Sequence, residues 1–326
     1  MGGVAIIGAA GFVGSHLVRG FEARGARVLP LVRAVDDRSP AGARTLAEAV
    51  ERPAIVGEGA VAIYAAAGRG DPQPRSAELD RVERAMRMSV SARVDRFVLV
   101  SSTAVYGFPQ RLPVTEEHPY APRTATAAVK VEVEMRARRV ARESGLRLVI
   151  VRPTVVYGPG TRGGLLDRMA SAIQIGVVVG PGDNLVHLTH VDDVVEGTWL
   201  AATRPEAQGE HFILAGPSTT TLASLCDLVA RTMDRPAPSV RVPSSVARAV
   251  ATVVDVAAHR GVTFGRRRSV PPIRHEQLDE MTLSIAFDTT KARRRLGFAP
   301  RVDYEEGVAR TLLGQWPDVA RAGAPL

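Results

Sequence analysis

The stretch Gly8-Ala9-Ala10-Gly11-Phe12-Val13-Gly14 constrains the fold of this chain more than any other. A short β-rich run, Val4–Ile7, precedes it, and an amphipathic stretch, Ser15–Arg24, follows. After Gly25 comes a second apolar run, Arg27–Val32, so the order is strand, glycine turn, helix, strand. A βαβ unit whose helix opens on such a glycine triplet is the fingerprint of a dinucleotide site. Each glycine has its own task. Gly8 permits the tight turn, Gly11 lets backbone approach a pyrophosphate, and Gly14 lets helix and strand pack closely. The helix N-terminus then offers its unpaired N–H groups to the anion.

The end of the second strand selects between dinucleotides. A carboxylate there holds the ribose 2′-hydroxyl of NAD. Here Leu31-Val32-Arg33 offers an arginine, which suits the 2′-phosphate of NADP. Asp36 and Asp37, slightly farther along, keep NAD open.

Further apolar runs at Ala60–Ala66, Arg96–Ser101 and Leu146–Val151 read as strands. Helical stretches fall between them, at about Ser76–Val94 and Thr126–Ser144. This alternation predicts an α/β chain with a Rossmann-type, doubly wound parallel sheet. Residues 34–59 carry little strand signal, so a third strand there is expected to be reduced or missing.

Basic residues outnumber acidic ones by 42 to 34, yet only Lys130 and Lys291 are lysines. The arginines are scattered. Their short clusters, Arg266–Arg268 and Arg293–Arg295, lack the interleaved aromatics of a base-stacking surface, so no nucleic-acid partner is expected. In a chain this rich in arginine, a retained lysine points to a place that needs a compact ammonium. No apolar run is long enough to span a bilayer, and the N-terminus lacks the basic region of a signal peptide. The one cysteine, Cys226, excludes an internal disulfide framework. These features point to the reducing cytoplasm, with no membrane partner. The apolar spacing around Cys226 predicts a buried, inert thiol.

Several phrases line up in order along the chain. After Gly8–Gly14 come Ala65-Ala66-Ala67 and Val100-Ser101-Ser102-Thr103-Ala104-Val105-Tyr106-Gly107. Lys130-x-Glu132-x-Glu134, Val151–Gly160 and His190-Val191-Asp192-Asp193-Val194 follow, and Phe287–Phe298 closes the series. Together they resemble the extended short-chain dehydrogenase/reductase family, which includes nucleotide-sugar epimerases and dehydratases and related ketoreductases. The resemblance covers nearly the whole chain. It implies an NAD(P)-binding Rossmann domain, residues 1–156 plus about 183–212, interleaved with a smaller C-terminal α/β substrate domain, about 157–182 and 213–326. It adds Phe12, Val13, Ala65, Ala66, Pro153 and Val155 to Gly8, Gly11, Gly14 and Arg33 as cofactor-binding positions. It also implies a small-molecule substrate held over the nicotinamide, and a homodimer formed through the helices at 76–94 and 126–144.

Family chemistry uses a Ser/Thr, a Tyr, and a Lys four residues after the Tyr. Ser102 matches the first and Lys130 the last, and the lysine would also bind the nicotinamide ribose. The tyrosine position is Thr126. An alkyl hydroxyl is far less acidic than a phenol, whose reference pKa is about 10, so Thr126 cannot simply replace it. Tyr120 lies ten residues before Lys130 and does not restore the spacing. Two further departures matter. The Arg-Asp pair that clamps the diphosphate of nucleotide sugars is replaced by Leu185-Val186-His187-Leu188-Thr189-His190. The Gly-Asp pair that contacts adenine is absent from residues 34–59, which puts the usual adenine pocket in doubt.

The remaining polar residues carry weaker signals. His187 and His190 read as packing or substrate-contact side chains before metal ligands, and no metal is expected. Asp192-Asp193 reads as a structural cap, Glu116-Glu117 as a solvated loop, and Ser244–His259 as an amphipathic helix. The expectation is therefore an NADP-binding enzyme, with NAD as the alternative cofactor. It acts on a polar small molecule by ketoreduction, oxidation or epimerisation, through an altered site of Ser102, Thr126 and Lys130. A non-redox isomerase, lyase or cyclase on the same fold is one alternative, and a non-catalytic dinucleotide-binding protein is another.

Overall fold

A computed structural model describes residues 3–37, 39–66, 75–109, 111–247, 249, 278–279 and 282–315. The N-terminal elements are β1 (Val4–Ile7), α1 (Phe12–Glu22), β2 (Val28–Val32), β3 (Arg44–Thr45), α2 (Leu46–Glu51) and β4 (Val61–Tyr64). They are followed by α3 (Arg75–Ser91), β5 (Arg96–Val100), α4 (Ala125–Ser144), β6 (Leu148–Pro153) and β7 (Val155–Tyr157). Next come α5 (Leu165–Ile175), β8 (Val177–Val179), β9 (Leu185–Val186), β10 (Leu188–His190) and α6 (Val191–Thr203). The last labelled elements are β11 (His211–Leu214), β12 (Thr220–Thr221), α7 (Leu222–Thr232) and β13 (Val240–Val242). Two more helices, Thr290–Leu296 and Tyr304–Gln315, follow.

The chain divides into two compact units. The first comprises Met1–Gly158, Leu188–Pro217 and Phe287–Val302; the second comprises Pro159–His187, Ser218–Ala286 and Asp303–Leu326. The resemblance alone groups Phe287–Val302 with the substrate side, whereas here it lies with the first unit. The buried Asp193 carboxylate accepts the backbone N–H groups of Arg301 and Val302 at 2.8 and 3.4 Å.

A seven-stranded sheet organises the first unit, in the order β11-β6-β5-β4-β1-β2-β3. All its pairings are parallel. Strand order reverses between β1 and β4, the switch point at which doubly wound sheets bind ligands. Side chains alternate across the sheet as the pleat requires. Val4 and Ile6 enter a core with Leu17, Phe21 and Phe212, while Ala5 and Ile7 enter another with Val82, Met86 and Val140. Burial on both faces is why these strands read as continuous apolar runs. The third strand is reduced to Arg44–Thr45 because the chain turns at once into α2. Thr45 Oγ1 caps that helix, accepting from Glu48 N–H at 3.0 Å.

Glu116 departs from the sequence expectation. It is not a solvated loop residue but is buried, and its Oε1 accepts the N–H of Ile213 at 2.9 Å. β11 lies at the sheet edge, so this amide would otherwise lack a partner. The adjacent Glu117 is exposed.

In the second unit α7 packs against α5 and against the helix Tyr304–Gln315. β12 pairs antiparallel with β9, and β13 pairs parallel with β8. Cys226 is buried on α7, and burial pushes its thiol pKa up, as an inert thiol requires. Most of the stretch Ser244–His259 lies outside the described residues.

Candidate active site

β1 and β4 are neighbours, and both end at the switch point. A cavity of about 730 Å³ opens there, lined by Gly8, Gly11, Arg33, Ala65 and Ala66. Gly8 has φ of +89°, and a Cβ on it would sit 2.6 Å from the Ala66 nitrogen. A Cβ on Gly14 would collide with the Gly8 carbonyl oxygen. Both positions therefore require glycine for physical reasons. Gly11 is the N-cap of α1, with no side-chain cap and no acid in the first turn. Phe12 and Val13 form that first turn, where an α-helix presents N–H groups beyond its own i to i−4 bonding pattern. This cradle fits the pyrophosphate of a dinucleotide.

Two helices complete the wall of the cavity. Leu46, Ala47 and Val50 of α2 line it. Ala77, Asp80, Arg81 and Arg84 of α3 line it as well. Their spacing of three, four and seven residues marks one helix face. That spacing was present in the sequence, but nothing local tied it to a ligand. Arg33 lines the cavity, whereas Asp36 and Asp37 are not among the lining residues.

The catalytic candidates lie at the ends of β5 and along α4. Ser102 caps the short 3₁₀ turn Thr103–Tyr106, its Oγ accepting from Ala104 N–H at 3.2 Å, and it is half-buried. Lys130 is half-buried within α4. Burial pushes its ammonium pKa below the ordinary value, and the charges of Glu78 and Glu134 oppose that shift. Thr126 lies in the first turn of the same helix and is exposed. Pro153 ends β6, and Val155 opens β7 with its side chain exposed. Ser102, Thr126, Lys130, Pro153 and Val155 lie outside the cavity lining, as do Phe12, Val13 and Gly14.

A buried polar network occupies the same ends of the sheet. Arg152 on β6 and Glu134 on α4 form an ion pair with both side chains nearly inaccessible. Glu134 Oε1 also accepts from Ser101 Oγ at 2.6 Å, and Oε2 from Tyr120 Oη at 2.6 Å. Arg152 donates to the hydroxyls of Tyr106 and Tyr120, and its guanidinium lies over both rings. Burial raises the Glu134 pKa, but hydrogen bonds from Arg152, Ser101 and Tyr120 outweigh it and hold the carboxyl below its ordinary range. Ser101, Tyr106, Glu134 and Arg152 all fall within sequence motifs, but their spacing does not pair them.

His187 belongs to the second unit and is buried. His190 belongs to the first, where its Nδ1 accepts from Asp192 N–H at 3.2 Å at the start of α6 and its ring meets Tyr157 edge-on.

A sequence model of the NAD dependent epimerase/dehydratase family matches residues 4–215. An uncharacterised protein, y4nL, of Sinorhizobium fredii is 31% identical over 68% of this chain and 63% of its own length, so the match spans less than two thirds of that relative. A 4-hydroxy-2-methyl-3-oxo-4-farnesyl-3,4-dihydroquinoline-1-oxide ketoreductase of Stigmatella aurantiaca is 30% identical over 93% of both chains. Among solved structures, UDP-glucuronic acid 4-epimerase from Bacillus cereus in complex with NAD superposes with a TM-score of 0.72. It is 16% identical over 98% of this chain and 99% of its own, and so shares the fold.

Proposed function

The chain belongs to the NAD dependent epimerase/dehydratase family, and from that premise we propose that it is an NADP-dependent reductase of a small-molecule ketone. The observation that carries this reading is the cavity at the switch point, with its glycine cradle and with Arg33 in its lining where β2 ends. The Stigmatella relative, whose name records a ketone reduction, supports the reaction type. The absent diphosphate clamp at Leu185–His190 argues against a nucleotide sugar.

When bound, the dinucleotide supplies hydride transfer at its nicotinamide C4. The chain's own residues do the rest. Gly8 and Gly11 bring backbone close to the pyrophosphate, and the first turn of α1 presents N–H groups to it. Arg33 pairs with the 2′-phosphate. Lys130 would hold the ribose hydroxyls and supply a positive charge to the reacting oxygen. Ser102 donates a hydrogen bond to that oxygen. Thr126 takes no part as an acid, and the proton reaches the product through Ser102 from water. A homodimer through α3 and α4 belongs to the same reading, and Val90 and Met135, exposed on these helices at 38% and 60%, support it.

A parallel fluorescence titration with NADPH and NADH tests the proposal. Tight NADPH binding, weak NADH binding and turnover of a ketone are the expected results. Failure to bind either dinucleotide would remove hydride transfer. Binding without turnover of any ketone or alcohol would favour a non-redox reaction on the same fold, a reading supported by the missing tyrosine at position 126 and the missing diphosphate clamp.

A further inference from the structure

We infer that Arg84 of α3 is a second specificity contact for the phosphate monoester on the adenosine ribose, acting beside Arg33. This inference rests on the NADP reading above. α3 turns one face toward the cavity, and that face runs from the small apolar Ala77 through Asp80 and Arg81 to Arg84. Beside Ala77, the apolar Leu46, Ala47 and Val50 of α2 suit a planar purine.

Five charged side chains line the cavity: Arg33, Arg81 and Arg84 against Glu51 and Asp80. They differ in what already engages them. Arg81 pairs with Glu78, whose other oxygen accepts from Tyr64 Oη at 3.2 Å. Its charge is therefore spent within the protein. Arg33 and Arg84 are both exposed, and they come from different elements, the end of β2 and the middle of α3. Asp80 stands one turn before Arg84 on α3, where an exposed pair of this kind contributes only a few tenths of a kcal/mol. A doubly charged phosphate offers Arg84 a bidentate partner, which outweighs any such pairing with Asp80. The pyrophosphate needs neither arginine, because the glycine turn and the start of α1 supply backbone N–H groups.

The test uses the full chain and measures dissociation constants for NADPH and NADH, and for 2′,5′-ADP and 5′-AMP as nicotinamide-free probes. The variants are Arg84→Met, which keeps the apolar stem, Arg84→Lys and Arg33→Met. Arg84→Met should weaken NADPH and 2′,5′-ADP about tenfold, the size of one charge-assisted contact, and leave NADH and 5′-AMP within about twofold. Arg84→Lys should recover part of the loss, since it keeps the charge without the fork. Melting curves establish that each variant is folded. Wild-type protein that binds NADPH no better than NADH overturns both the NADP reading and this inference. Wild-type protein that prefers NADPH, with Arg84→Met losing both dinucleotides equally or neither, overturns the role of Arg84 and leaves the NADP reading standing.

Discussion

Arg152 and Glu134 meet at two points inside the first unit. The guanidinium Nε donates to Glu134 Oε1 at 3.0 Å, and Nη2 donates to Oε2 at 2.5 Å. Eighteen residues separate them in sequence, and β6 and α4 bring them together. Three hydroxyls, from Ser101, Tyr106 and Tyr120, share the remaining hydrogen-bonding capacity. The network joins the end of β5, the end of β6 and the helix that carries Lys130.

Removing one partner of this pair leaves the other charge buried. Glu134→Ala is expected to destabilise the fold by about 3–5 kcal/mol. Urea unfolding measures it. A loss below about 1 kcal/mol would show that the pair is dispensable.

The same carboxyl sets an acid limit. Its folded pKa lies below its unfolded value, so its stabilising contribution is full above the unfolded pKa, about 4.3, and is lost as pH falls through the folded value. Unfolding free energy should therefore decline on acidification below about pH 4.3, and the Glu134→Gln variant should show a shallower decline. Parallel slopes for wild type and variant would contradict this.

Lys130 predicts a separation of stability from activity. Its ammonium is disfavoured by burial, so Lys130→Met removes a desolvation cost. The variant is expected to unfold within about 1 kcal/mol of wild type while ketone turnover falls at least about tenfold. A protein that loses stability and keeps turnover would assign the lysine a structural role.

Thr126 is exposed in the first turn of α4, so a larger side chain there meets no core. Thr126→Tyr should change stability by no more than about 0.5 kcal/mol. It places a phenol four residues before Lys130, on the same helix face. Restored general acid catalysis should raise ketone turnover by about 10²-fold or more, with dinucleotide affinity unchanged. Unchanged turnover in a folded, cofactor-binding variant would point to a non-redox reaction.

Gly8→Ala tests the cradle. The positive φ and the 2.6 Å approach to Ala66 both oppose a methyl group. Strain of about 1–3 kcal/mol is expected. Loss of dinucleotide binding should accompany it, read by thermal melting and by titration.

The βαβ start and the parallel sheet were legible because they rest on local signals: the glycine triplet before an amphipathic helix, and apolar runs whose period reports burial. The shortened third strand was legible for the same reason, since residues 34–59 lack such a run. Positions of Gly8 and Gly14 carried their own explanation, because only glycine meets those backbone demands. Partnerships were not legible. Glu116 looked like a loop acid until the edge of β11 supplied the Ile213 amide, almost a hundred residues later in sequence. Arg81 and Arg84 looked like two arginines among many until α3 turned them toward the cavity. Sequence by itself determined strands β1, β2, β4, β5 and β6, helices α1, α3 and α4, and the positions of β1–α1 that demand glycine, since neighbouring residues settle those conformations. Tertiary structure alone decided which charge meets which, because a side chain's partner depends on strand order and helix rotation, and neither is encoded by spacing along the chain.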